Sequence, residues 1–110
     1  GIGHNLTANG LPDEIIDALY RYDVAQVEAQ LDAAIPWWRK LDDVRQRVLA
    51  GMAFNMGAPT LLTFRDFLNL MAAGSFTAAA QDLRETKLYR QLPSRTERLA
   101  RMVETGADPT

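Results

Sequence analysis

The sequence predicts a mainly α protein, a compact orthogonal bundle of five or six short helices behind a remnant of a small β-hairpin. Three observations point there. After Gly10, apolar residues recur at three- and four-residue steps almost to the end. Helix-ending residues (Pro36, Gly57, Gly74, Pro93 and Gly106) cut that pattern into short pieces. Strand character is confined to Gly1-Ile2-Gly3, closed by an Asn9-Gly10 turn.

Each helix has a start, a stripe and a stop. The first begins near Pro12, whose fixed φ suits a first turn, with Asp13 and Glu14 favourable at the positive end of the dipole. Ile16, Leu19, Tyr20, Val24, Val27, Leu31 and Ile35 form its stripe, and Pro36 ends it. Trp37-Trp38 follows at the corner. A second helix runs from Asp42 to Met56 on Val44, Val48, Leu49 and Met52, and stops at Gly57. Ala58-Pro59 is a break. A third takes Leu61 to Ala73 and stops at Gly74. Ser75 is expected to cap a helix reaching Glu85. Lys87 to Leu92 forms a brief segment before Pro93. Ser94 and Glu97 then have the spacing of a capping box for the last helix, which ends at Gly106.

Composition narrows the function classes. The 110 residues are enough for one domain with a modest core. A net charge of -2 gives no electrostatic reason to expect nucleic-acid binding. The absence of cysteine excludes disulfides and thiolate metal sites, and one histidine is too few for a metal centre, so no cofactor is expected. The longest apolar stretch, Val48 to Leu62, is broken by Asn55, Gly57 and Pro59 and is too punctuated to span a bilayer.

Several residues ask for an explanation. Asp23 falls on the apolar face of the first helix, where a carboxylate needs a partner. His4, in the turn that must fold back near this helix, is the natural one, and a structural His4–Asp23 pair is favoured over a catalytic role. Arg95 precedes Leu99 and Met102 at i+4 and i+7 and is expected to face inward, either holding a carboxylate or ligand or snorkelling beside the bundle. Asn55, between Phe54 and Met56, either lines a cleft or caps the helix end. The acids Asp13, Glu14, Asp42, Asp43 and Glu85 sit at helix ends, where they are most often solvated. There is no phosphate loop, no Ser–His–Asp constellation and no metal-ligand cluster in the sequence.

Taken in order, "GIGHNLT", "LYRYDV", "LDDVRQRVLAGMAFNMG", "FRDFLNLMAAGSFTAAAQDL" and "KLYRQLPSRTERLARMVETG" resemble the T-even type of phage lysozyme, the endolysins of glycoside hydrolase family 24. The resemblance covers nearly the whole chain. It implies hydrolysis of the bond between N-acetylmuramic acid and N-acetylglucosamine in peptidoglycan. It also implies that residues 1–10 end a hairpin at the cleft floor, 11–35 form the long helix between lobes, and 36–110 form the C-terminal lobe. Gly3, Asn5, Phe54, Asn55, Phe67, Asp82 and Arg95 become cleft positions, with His4 and Asp23 as the structural pair. At Asn5, Phe67 and Asp82 the residue types differ from those of the T-even enzyme.

In that family an acid Glu, a water-positioning Asp and a Thr carry the chemistry. All three precede the glycine matching Gly1, so the resemblance implies a chain without its N-terminal catalytic segment and inactive alone. It further implies an apolar groove covered by that segment or by a second copy of the chain, synthesis in the host bacterial cytoplasm, and action on the wall. The alternative is a non-catalytic helical module that binds peptidoglycan or another protein.

Overall fold

A computed structural model describes residues 13–108, with side chains described from Val24 onward. Among the described residues there are helices and no strand. They are α1 (Asp13–Ala34), a 3-10 helix (Pro36–Lys40), α2 (Asp43–Met56), α3 (Ala58–Leu61), α4 (Arg65–Ala72), α5 (Phe76–Arg84), α6 (Lys87–Gln91) and α7 (Pro93–Thr105). The expected hairpin remnant lies outside the described residues, as do Gly3, His4 and Asn5 in full and the side chain of Asp23.

The core gathers one stripe from each long element. Leu31 and Ile35 of α1 meet Trp38, then Val48, Leu49 and Met52 of α2. Phe67 and Met71 of α4, Leu83 of α5 and Val103 of α7 complete it, each fully buried. These are large apolar side chains, each stabilising the fold by roughly 1.5–3 kcal/mol through burial. Helices α5 and α7 pack against each other, α4 lies on α5, and α1 lies along α2.

Trp38 is 1% exposed, yet its indole N–H still needs an acceptor. Asp32, on the last turns of α1, accepts from Trp38 Nε1 at 2.8 Å and from Arg39 Nε at 2.8 Å. Arg39 then lies over the Trp38 ring, 4.3 Å from its centroid. The corner is thus fixed by one carboxylate shared between an indole and a guanidinium. The Arg39 and Trp38 hydrogen bonds also hold the Asp32 carboxyl below its ordinary pKa.

Three expected helix starts are built differently. The helix expected from Leu61 starts at Arg65, because the expected break at Ala58-Pro59 instead opens a short helix of its own that ends at Leu61, with Pro59 fitting its first turn. Ser75 stands at the N-cap of α5 without a side-chain capping bond. The capping box of the last helix does not form. α7 begins at Pro93, with Leu92 at its N-cap, so Ser94 is already inside the first turn. Glu97 is drawn away by Arg84, whose Nε and Nη2 donate to its two oxygens at 3.0 and 3.1 Å. A bidentate guanidinium is the stronger partner. By contrast, Asp42 caps α2, accepting from the Arg45 amide at 3.1 Å.

Candidate functional site

The long α1 packs on the following α2, and a groove of about 450 Å³ lies between them. Val24, Val27 and Glu28 line it from α1, and Arg47, Ala50, Gly51, Phe54 and Asn55 line it from α2. The α2 set repeats at three- and four-residue steps, so it is one face of that helix. Gly51 sits in the middle of this face and leaves it without a side chain. Among the described residues a Cβ at Gly51 would meet nothing within 4 Å, so a side chain there would take up groove space. The walls are apolar, and the polar groups stand at the ends: Glu28, Arg47 and Asn55.

Arg47 is held in place. It donates from Nη2 to Asp108 at 2.9 Å, and its Nε lies 3.4 Å from Asp43. That pairing keeps the Asp108 carboxyl below its ordinary value, with help from nearby Arg98. The C-terminal end of the described chain is thereby tied to the groove wall.

The sequence-derived site residues separate into three places. Phe54 and Asn55 line the groove, Phe54 half-buried and Asn55 exposed. Phe67 is 0% exposed and belongs to the core, so in this conformation it supports α4 and offers no surface to a ligand. Asp82 stands half-buried on α5. Partial burial, with the nearby charges of Asp66 and Glu85, pushes its carboxyl above the ordinary pKa. Among the described residues no set of three metal-ligating side chains is placed to hold an ion.

Among the described residues Arg95 is not drawn into the bundle, and of its two expected placements this exposure fits the one beside it. It is exposed on α7, and its neighbour Thr96 takes the buried position instead. Starting the helix at Pro93 sets this phase: Thr96, Ala100 and Val103 form the inner face, and Arg95 lies off it. Thr96 Oγ1 donates to the Leu88 carbonyl at 3.2 Å, which satisfies the one buried polar side chain among the described residues and ties α7 to α6.

Sequence reasoning named Phe54 and Asn55 but missed the rest of their face. Arg47, Ala50 and Gly51 lie three to eight positions earlier on the same helix, and that periodicity was the available signal. The α1 wall was read as core stripe, because Val24 and Val27 continue the pattern of buried Leu31.

What the described groove offers chemically is an apolar trough with polar ends, suited to binding an amphipathic ligand such as a sugar ring. No helix among the described residues is long and apolar enough to cross a membrane.

No family model matches the chain. Its sequence is similar to a probable T4-type lysozyme 1 of Dictyostelium discoideum, 26% identical over 96% of this chain and 66% of that protein. It is also similar to the pre-baseplate central spike protein Gp5 of Enterobacteria phage T4, 27% identical over 96% of this chain and 19% of that protein. A probable T4-type lysozyme 2 of the same Dictyostelium species is 33% identical over 63% of this chain and 41% of its own length. The chain therefore spans about two thirds or less of each of these relatives. By sequence, along nearly its whole length, this chain is T4-lysozyme-like.

Proposed function

We propose that this chain is the helical part of a muramidase that hydrolyses the bond between N-acetylmuramic acid and N-acetylglucosamine in peptidoglycan. The observation that carries this reading is the similarity to a probable T4-type lysozyme across 96% of the chain. The groove at Phe54 and Asn55 supports it, as a half-buried ring beside an amide is what a pyranose needs: one apolar face to pack on and one hydrogen-bonding edge. By the resemblance, the acid Glu and the water-positioning Asp and Thr align ahead of Gly1. In this reading the helical part supplies binding surface and support for them.

Turbidity of a purified peptidoglycan suspension tests this. The 110-residue chain is compared with a version extended upstream by its native codons. Clearing by the extended chain alone is the expected result. Clearing by the 110-residue chain would mean that Asp23, Asp82 or Glu85 takes part in the chemistry. No clearing by either would sink the reading.

The similarity to the Gp5 spike protein favours a second reading. There the helical lobe is a module carried by a larger assembly protein, binding wall or protein without turnover. Pelleting with peptidoglycan in the absence of any released saccharide would favour it.

A further inference from the structure

Helix α7 begins with no side-chain cap, since Leu92 stands at its N-cap and offers no acceptor. An uncapped first turn frays unless other parts of the fold hold it. Thr96 and Glu97, the two residues that follow Arg95, do that. Thr96 is 0% exposed, and its Oγ1 donates to the Leu88 carbonyl of α6 at 3.2 Å. Glu97 accepts from Arg84 of α5 at 3.0 and 3.1 Å and from the Tyr89 hydroxyl of α6 at 3.2 Å. It also accepts from Arg101, one turn further along α7, at 3.0 Å. The start of α7 is thereby tied to both preceding helices.

Arg95 stands just before these two anchors. It is exposed, and its guanidinium makes no hydrogen bond or ion pair among the described residues, whereas Arg39, Arg45, Arg47, Arg84 and Arg101 each pair with an acid. The acid nearest to it along the chain is Glu97, two positions away and so on a different side of the helix, with its oxygens already engaged. Arg95 therefore keeps its rigid fork of donors free on a turn that is itself held fast.

We propose that Thr96 and Glu97 are positioning residues for the reaction, bracing the turn that presents the Arg95 guanidinium to the cleft. The inference rests on the muramidase reading, in which Arg95 is a cleft position and the acid Glu aligns ahead of Gly1. Neither residue touches substrate. Their effect passes through Arg95, whose charge favours the ionised form of a carboxyl in that cleft. The Ser94–Glu97 spacing has the form of a cap, and the carboxylate serves instead as a brace against α5.

The test is a double-mutant cycle in the chain extended upstream, read as clearing of purified peptidoglycan per folded molecule across pH. Arg95→Gln is expected to move the alkaline limb, where the acid loses its proton, upward by about half to one pH unit. Thr96→Val keeps the shape and removes the hydroxyl. It and Glu97→Gln are each expected to lower the rate about threefold to tenfold and to shift the limb the same way by less. Thr96→Ser, which retains the hydroxyl, is expected to keep the parent rate and limb. Added to Arg95→Gln, either substitution is expected to cost less than about twofold more, because the residue it acts through is gone. Gly74→Ala, a backbone change at a φ of +78° elsewhere in the fold, is expected to leave the limb unmoved. If Thr96→Val fails to fold by circular dichroism, Glu97→Gln carries the cycle alone. Losses that multiply in the double variants, or a limb that stays in place while the rate falls, would overturn the proposal and leave both residues a purely structural role. An extended parent that clears nothing sinks the muramidase reading and the proposal with it, whereas a clearing parent with independent losses sinks the proposal alone.

Discussion

Gly106 leaves open the space that the Arg45 guanidinium occupies. A Cβ at position 106 would stand 2.9 Å from Arg45 Nη1 and 3.2 Å from its Cζ. Arg45 reaches there from α2 because it closes the end of α7: Nε donates to the Val103 carbonyl at 2.6 Å and Nη2 to the Glu104 carbonyl at 3.1 Å. These are last-turn carbonyls, among those a helix leaves without internal partners. Nη1 donates to Asp42 at 2.9 Å, and the guanidinium lies 3.6 Å from the centre of the Phe76 ring. Partial burial would raise the Asp42 carboxyl, but hydrogen bonds from the Arg45 amide and side chain outweigh it and hold the pKa low. One arginine thus joins the start of α2, the start of α5 and the end of α7.

This makes Gly106 more demanding than an ordinary helix-terminal glycine. Its φ is +70°, a left-handed conformation that costs an L-residue about 1–2 kcal/mol. Gly74 has a similar φ of +78°, but nothing lies within 4 Å of a Cβ there. Gly74→Ala is therefore expected to lose only the backbone cost, about 1 kcal/mol. Gly106→Ala is expected to lose about 2–3 kcal/mol, because Arg45 must also give up its carbonyls. Urea unfolding of the two variants measures the difference. Equal losses would show that the Arg45 contact carries no energy.

Glu97 gives a pH dependence with a definite sign. Hydrogen bonds from Arg84, then Arg101, with a smaller contribution from Tyr89, hold its pKa at about 2 against an ordinary 4.5. A carboxyl depressed in the folded state stabilises the fold fully above the unfolded pKa and loses that contribution as pH falls through the folded value. Glu97→Gln is expected to be less stable than the parent at pH 7. The gap should begin to close near pH 4.5 and be gone near pH 2. Thermal midpoints of both proteins across that window decide it, and a gap constant with pH would place the effect in packing rather than charge.

The helix stripes and stops were legible because each is local. Pro36, Gly57, Gly74 and Gly106 end helices on backbone grounds that need no tertiary partner, and the last three take positive φ. The capping box was misread because Glu97 had a competing partner thirteen residues earlier in sequence, Arg84, which spacing alone does not reveal. Arg95 lies off the inner face for a related reason. Moving the start of α7 to Pro93 leaves Thr96 as the residue that follows the inner face. The groove was half legible: Phe54 and Asn55 drew notice, while a side chain at Gly51 would take up its space and its other wall is a second helix alongside.

That glycine separates stability from binding. Gly51 lies inside α2, where alanine is the better helix former by about 0.5–1 kcal/mol. With no atom within 4 Å of its Cβ, Gly51→Ala is expected to raise stability by that amount. The new methyl stands in the groove, so the same variant is expected to bind peptidoglycan fragments more weakly, by about threefold to tenfold. Denaturation and fluorescence titration of the two proteins test both halves. Greater stability with unchanged binding would remove the groove from the list of glycan sites.

Phe54 and Phe67 were both singled out as cleft positions, and their surroundings assign them opposite roles. Phe67 is 0% exposed among Leu68, Met71 and the other core side chains, so Phe67→Ala opens a cavity and is expected to cost about 3–5 kcal/mol. A loss that large is a sizeable part of the stability of a domain this size. Its effect on activity should then follow the folded fraction and vanish under conditions that restore folding. Phe54 is half-buried and lines the groove, so Phe54→Ala removes less packing and more ligand contact. In a chain extended upstream it is expected to weaken glycan binding with the fold retained. Measuring activity per folded molecule for both variants separates these cases. If Phe67→Ala lowered that quantity and Phe54→Ala did not, the groove between α1 and α2 would not be where the substrate lies.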